Sequence, residues 1–268
     1  MAIAAETTMT TAADPLVRRG RDARGVLTLT LNRPQAFNAL SEAMLAALQR
    51  ELDRIASDDS VRVVVLAAEG KAFCAGHDLK EMRARPSLEY YQRLFAQCTR
   101  MMLSLRRLPV PVIARVQGIA TAAGCQLVAQ CDLAVASSTA RFAVSGVNLG
   151  LFCSTPSVPL SRNVARKQAF EMLVTGDFID AAQAQARGLV NRVVEPERLD
   201  AELETLVASI VAKPRAVVAM GKELFYRQGE LGIQAAYDAA GETMACNMMD
   251  AAALEGVQAF IEKRKPRW

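Results

Sequence analysis

Histidine is nearly absent. The 268 residues include one, His77, with one tryptophan and only 5% aromatic residues in all. A single histidine excludes a multi-histidine metal site. Six cysteines occur, Cys74, Cys98, Cys125, Cys131, Cys153 and Cys246, but no C-x-x-C pair, and their spacing fits no zinc pattern. Reduced thiols and a cytoplasmic setting are therefore expected. An apolar leader is missing too, because Glu6 and the threonine-rich stretch 7–11 interrupt the first residues. No stretch of about 18 uncharged apolar residues suggests a membrane span. The nearest, 108–131, holds Arg115, Gln117, Gln126, Gln130 and two prolines. Charge of one sign is lacking as well: 32 basic and 28 acidic residues give +4, too mild to argue for nucleic acid.

What is present is aliphatic. Hydrophobic residues make up 51% and charged residues 22%, the balance of a globular chain. At this length about 70–75% of the unfolded surface can be buried, so one large domain, alone or with a small appendage, is expected. Residues 1–20 have no period and read as a mobile tail. Val26–Leu31 alternates apolar residues with Thr and predicts a strand. Ser41 caps a predicted helix through Ile55, with Leu45, Leu48, Leu52 and Ile55 on one face. The unbroken apolar run 61–67 predicts a buried strand. A helix follows over 87–107, ended by Pro109 and Pro111. Strands over 110–116 and 132–136 flank a helix over 122–130. The alternation of β and α implies right-handed crossovers. Beyond about 158 the spacing predicts helices over 162–174, 181–187, 199–211, 214–228, 233–249 and 251–263, with one strand over 189–194. The divisions expected are a tail 1–20, an α/β core 21–200 and a C-terminal helical region 201–268.

Three segments could carry chemistry. Phe73–Lys80 runs from a strand through a turn of small residues into a helix, leaving N–H groups unpaired. Gly118–Gln126 piles small residues before a helix, whose N-terminus can hold developing negative charge. Ser145–Ser154 is a loop at the junction of the two halves, with Asn148, Cys153 and Ser154 as polar candidates. Each alone also reads as ordinary turn or packing chemistry.

Together and in order, these segments resemble the enoyl-CoA hydratase/isomerase (crotonase) family. The resemblance runs from Leu31-Asn32-Arg33-Pro34 and Asn38-Ala39-Leu40 through Ala75-Gly76-His77-Asp78-Leu79-Lys80. It continues through Gly124-Cys125-Gln126-Leu127, Cys131-Asp132-Leu133, Thr175-Gly176-Asp177 and Ala186–Val190 to Ala259–Lys265. The phrases 120–128 and 150–156 carry a closer match to one branch of it. The resemblance implies a spiral of ββα turns with C-terminal helices that assemble a homotrimer or hexamer. It implies an acyl-CoA thioester as substrate, with no cofactor beyond that coenzyme A. The thioester oxygen would lie between the backbone N–H groups of His77 and Ala123, where one donor is worth about 3–4 kcal/mol. The CoA moiety would lie along Ala75, Asp78, Leu79 and Lys80, and be reached by Phe260 and Lys263.

The pattern breaks where the family hydrates. Its two water-activating glutamates fall at Gln126 and Gly146. Gln126 can orient a water but cannot take its proton, and Gly146 offers nothing. General acid–base help is worth about 10²–10⁴-fold, so hydration by that route should nearly vanish. His77 is a candidate base near neutral pH, although its N–H alone suffices for the oxyanion. Cys125 follows a helix start, which would lower its thiol pKa, but inward packing is the expected role. Cys153 and Ser154 are candidate nucleophiles or water-holders. The expected function is an acyl-CoA enzyme of hydratase/isomerase type. The alternatives are another oxyanion reaction, such as thioester hydrolysis or decarboxylation, or a silent acyl-CoA binder.

Overall fold

The computed structural model describes residues 14–268. Strand β1 (Val17–Arg21) pairs antiparallel with β2 (Val26–Leu31). Residues 17–20 of the expected tail are therefore an edge strand, and 1–13 lie outside the described residues. The strand was hidden because only Val17 faces the core. Its arginines pair with acids instead, Arg18 with Asp14 at 2.9 Å and Arg21 with Asp58 at 3.4 Å. Charge of this kind protects an exposed sheet edge.

Helix α1 (Glu42–Ala56) starts where Ser41 predicts, the Ser41 hydroxyl accepting from Met44 N–H at 3.2 Å. Then come β3 (Val63–Ala68), β4 (Ala72–Cys74), α2 (Leu79–Ala84) and α3 (Leu88–Arg107). The next turn of chain is β5 (Val112–Val116), β6 (Ile119–Thr121) and α4 (Ala123–Gln130); the one after is β7 (Leu133–Ser137), β8 (Arg141–Ala143) and α5 (Ser154–Asn163). Helix α6 (Arg166–Thr175), β9 (Ile179–Asp180), α7 (Ala181–Ala186) and β10 (Arg192–Val194) precede four helices, α8 (Leu199–Val211), α9 (Arg215–Gln228), α10 (Ile233–Met248) and α11 (Ala251–Ile261).

The strands form two sheets, β1-β2-β3-β5-β7-β10 and β4-β6-β8-β9. At each turn one strand enters the large sheet, the next enters the small one, and a helix returns the chain. That is the expected ββα spiral. Strand β3 shows why its sequence is unbroken and apolar. Val64, Leu66 and Ala68 enter the main core, while Val63, Val65 and Ala67 meet Leu199, Leu203 and Val207 of α8 on the other face.

Three details differ from the sequence reading. The helix expected over 162–174 is two, broken at Val164 and Ala165, both extended. Asn163 stabilises the break by donating from Nδ2 to the Ala129 and Pro159 carbonyls at 2.9 and 2.8 Å. The strand expected over 189–194 is only Arg192–Val194, since Leu189 and Val190 fill a buried turn behind Gly188, whose φ is +83°. Strands β6, β8 and β9 are too short to display a period. Helix α9 is tied to the sheet by Lys222, whose Nζ lies 2.7 Å from Asp132 and donates to the Leu105 and Val110 carbonyls at 3.0 Å.

Candidate active site

Backbone close to the sheet ends builds the site. After β4 the chain turns at Gly76 with φ +94°. Leu40 N–H donates to the Gly76 carbonyl at 2.7 Å, and Leu40 forms an isolated parallel bridge with His77. In such a bridge the N–H of His77 itself points away from the paired strand. The loop before Leu40 is fixed by Asn38, fully buried, whose Nδ2 donates to the Glu69 and Ala72 carbonyls at 2.8 and 2.9 Å.

The second turn lies against the first. A Cβ on Gly76 would meet Ala122 Cβ at 3.0 Å, Thr121 O at 3.2 Å and Ala123 N at 3.3 Å. Ala122 adopts φ 50°, ψ −121°, a region sparsely occupied by residues with a side chain and worth about 1–3 kcal/mol of strain. It is held there by its N–H on the Ala143 carbonyl and its own carbonyl receiving Gln126 N–H, both at 3.0 Å. This conformation starts α4 with the Ala123 N–H free of any earlier helical partner. Among the described residues neither the His77 nor the Ala123 N–H donates a hydrogen bond. Gly124 lets α4 approach β4, since a Cβ there would fall 1.9 Å from the Cys74 carbonyl oxygen.

The third segment joins through a contact the sequence did not reveal, Thr121 Oγ1 to Ser145 Oγ at 2.8 Å. Residues 145–149 are a short 3-10 helix rather than an open loop. Asn148 Nδ2 donates to the Gly176 carbonyl at 3.4 Å, a loop-closing role. Gly146 N–H donates to Cys153 Sγ at 3.3 Å, and a Cβ on Gly146 would meet Leu151 O at 2.5 Å and Cys153 Sγ at 2.8 Å. The position is filled by the loop's own return, not left open.

Gln126 is 4% exposed, and its Oε1 is buried without a hydrogen-bond partner. His77 Nδ1 lies 3.3 Å from the Leu40 carbonyl, while Nε2 is buried and unpartnered. The ring stands edge-on to Phe95 with centroids 5.5 Å apart. Burial lowers the His77 pKa, and the Leu40 carbonyl only partly opposes it.

Cys125 and Cys153 are both buried, as inward packing requires. Cys125 packs fully inward, and burial, reinforced by neighbouring Cys153, pushes its thiol up to about 12. Desolvation thus outweighs the helix start that favoured a thiolate. Burial also raises Cys153, with Gly146 N–H opposing. Ser154 is exposed, and its hydroxyl donates to the Phe152 carbonyl at 3.3 Å.

At the other end Asp78 is occupied. It caps α2, accepting from Lys80 and Glu81 N–H at 3.1 and 3.2 Å, and pairs with Arg33 at 2.7 Å. Burial would raise its pKa, but the Arg33 guanidinium and the two N–H groups hold it below the usual carboxylate range. Ala75 is half-buried, and Leu79 and Lys80 are exposed. Phe260 is 85% exposed at the end of α11, followed by Lys263 at φ 56°. Among the described residues no cluster of three His, Cys, Asp or Glu side chains could hold a metal, and no helix is long and apolar enough to cross a membrane.

A two-sheet ββα spiral of this topology is the crotonase fold. The chain belongs to the enoyl-CoA hydratase/isomerase family, whose model matches residues 21–268. It is 47% identical over 244 residues, 91% of this chain and 83% of the relative, to the mitochondrial enoyl-CoA hydratase domain-containing protein 3 of Xenopus laevis. The crystal structure of an enoyl-CoA hydratase from Mycobacterium smegmatis is 71% identical, with TM-score 0.94 over 95% of this chain and 99% of that one. The human enoyl-CoA hydratase domain-containing protein 3 superposes with TM-score 0.91 at 43% identity, over 94% of this chain and all of that one (100%).

Proposed function

We propose that the protein binds an acyl-CoA thioester with its carbonyl oxygen between the N–H groups of His77 and Ala123, and stabilises the enolate-like anion that develops there. The observation that carries this reading is the pair of unpartnered N–H groups on two turns in van der Waals contact at Gly76. Donors fixed in advance act on the oxygen only as it becomes negative, which lowers the barrier rather than merely tightening binding. The CoA moiety runs along Ala75, Leu79 and Lys80, with Phe260 and Lys263 supplied across an interface. Asp78 acts there through α2 and Arg33 rather than by direct contact. Phe225, Ile233, Tyr237, Met244 and Phe260 leave broad apolar surface on the C-terminal helices, which supports a homotrimer or hexamer. We keep the cytoplasmic setting as part of the reading; "mitochondrial" belongs to the names of the vertebrate relatives.

Hydration in the family's manner is weak or lost in this reading, because Gln126 accepts no proton and Gly146 has no room for a carboxylate. The filled position at Gly146 favours a second reading, an oxyanion reaction that needs no glutamate pair, such as thioester hydrolysis or decarboxylation. The test is crotonyl-CoA: binding is followed by calorimetry and turnover by loss of the conjugated thioester absorbance. Binding with little or no absorbance loss is expected. Rapid formation of 3-hydroxybutyryl-CoA overturns the hydration argument. Absence of binding overturns the acyl-CoA reading. Binding without conversion of any acyl-CoA leaves a silent binder.

A further inference from the structure

We infer that the His77 imidazole is the general base and acid of this site, its Nε2 taking the proton from the carbon next to the thioester carbonyl and returning it. The inference rests on the oxyanion reading above. The Leu40 carbonyl can only accept, so its 3.3 Å contact places the ring proton on Nδ1 and leaves Nε2 as a lone pair. That lone pair is buried and meets no donor. A buried acceptor without a partner costs about 1–3 kcal/mol and calls for a function. The same residue supplies an N–H to the thioester oxygen, so its side chain is tethered beside the carbon that must lose the proton.

Among the described residues, the other polar groups at the turn are engaged or hold their protons. Gln126 accepts no proton, and the Cys125 and Cys153 thiols are raised by burial. Asp78 is paired with Arg33, and Glu81 receives Glu42 N–H at 2.9 Å. Burial lowers the His77 pKa, so the imidazole is neutral and its Nε2 lone pair is available, as a weaker base than a free imidazole. The ring packed against it is that of half-buried Phe95.

The step balances without a co-reactant. The Cα–H bond breaks and an N–H bond forms at Nε2. The C–H electron pair becomes the enolate double bond, and the carbonyl π pair moves to the oxygen held by the two N–H groups. In the reverse step the imidazolium gives a proton back to Cα.

The test is deuterium incorporation at Cα of butyryl-CoA in D2O, read by mass spectrometry on the full-length protein. Wild type is expected to exchange, and His77→Gln to exchange about 10²–10⁴-fold more slowly while binding butyryl-CoA within a few-fold, since its backbone N–H remains. Wild-type binding without exchange, or His77→Gln exchanging like wild type, overturns the inference and leaves the oxyanion reading standing. Failure of wild type to bind butyryl-CoA overturns both. A second measurement needs no variant. The chain has one histidine, so 15N-histidine labelling gives one ring spectrum. The neutral Nδ1–H tautomer is expected, and an Nε2–H tautomer overturns the assignment.

Discussion

Gly76 lies against the backbone of Ala123, so close that a Cβ on Gly76 would be 3.3 Å from the Ala123 nitrogen. The two turns bearing unpaired N–H groups meet at a residue without a side chain. Gly76→Ala must find room beside Ala122 and also adopt φ +94°. It is expected to lower stability by about 1–3 kcal/mol and to separate the N–H pair. The reaction then slows by about 10²–10³, as when one oxyanion donor is lost. Thermal melts alongside butyryl-CoA exchange check this; activity that merely tracks the folded fraction would refute the geometric role.

Gly146 and Gln126 are not equivalent positions. Gly146→Glu drives a side chain into Leu151 O and Cys153 Sγ, at 2.5 and 2.8 Å from its first carbon. Overpacking of this kind costs about 1–3 kcal/mol or more. A fall in melting temperature with no gain of crotonyl-CoA hydration is therefore expected, alone or with Gln126→Glu. Hydration restored by the double variant would show that the loop adapts and that the missing carboxylates were the whole cause.

Lys222 and Asp132 form a buried pair at 2.7 Å, and Tyr226 Oη also donates to Asp132 at 2.7 Å. Lys222→Met leaves Asp132 buried without its cation. Removing one partner of such a pair typically costs about 3–5 kcal/mol. Urea denaturation should show that loss as a lower midpoint. A change below about 1 kcal/mol would mean that Tyr226 and the Val112 N–H, 2.6 Å from Asp132, suffice.

The single histidine sets one pH window. Burial holds the folded His77 pKa below 6.5, so the unfolded chain takes up this proton first as pH falls. This contribution to stability is complete above pH 6.5 and declines as pH drops from there toward the folded-state pKa. The slope cannot exceed about 1.4 kcal/mol per pH unit. Urea midpoints at successive pH values should reveal it, and His77→Gln should flatten it. A slope unchanged in that variant would assign the effect elsewhere.

Thiol reactivity offers a simple check on the core. Cys74, Cys98 and Cys125 are buried with thiols pushed up to about 12, whereas Cys246 is exposed. A disulfide reagent should label Cys246 first in the native protein and all six cysteines only after denaturation. Fast labelling of Cys125 would restore it as a nucleophile.

The long elements were legible because their signals are local. Ser41 announced α1, the apolar spacing over 87–107 announced α3, and the apolar run at β3 announced a strand buried on both faces. The family was legible because its motifs keep their order along the chain. Strand β1 escaped because its arginines look like a solvated tail, and β6, β8 and β9 because two or three residues cannot express a period. The break at Val164 escaped because Asn163 satisfies it through Ala129, 34 residues away.

The sequence by itself determined the α/β class, the helical last third and the family, all properties of residue type and order. Tertiary structure alone decided that Gly76 touches Ala123, that the space beside Gly146 is taken by Leu151 and Cys153, and that His77 keeps a free Nε2 because its other nitrogen meets Leu40. These depend on distances between segments far apart in the chain, which hydrophobic patterning brings together but does not specify at the scale of a hydrogen bond.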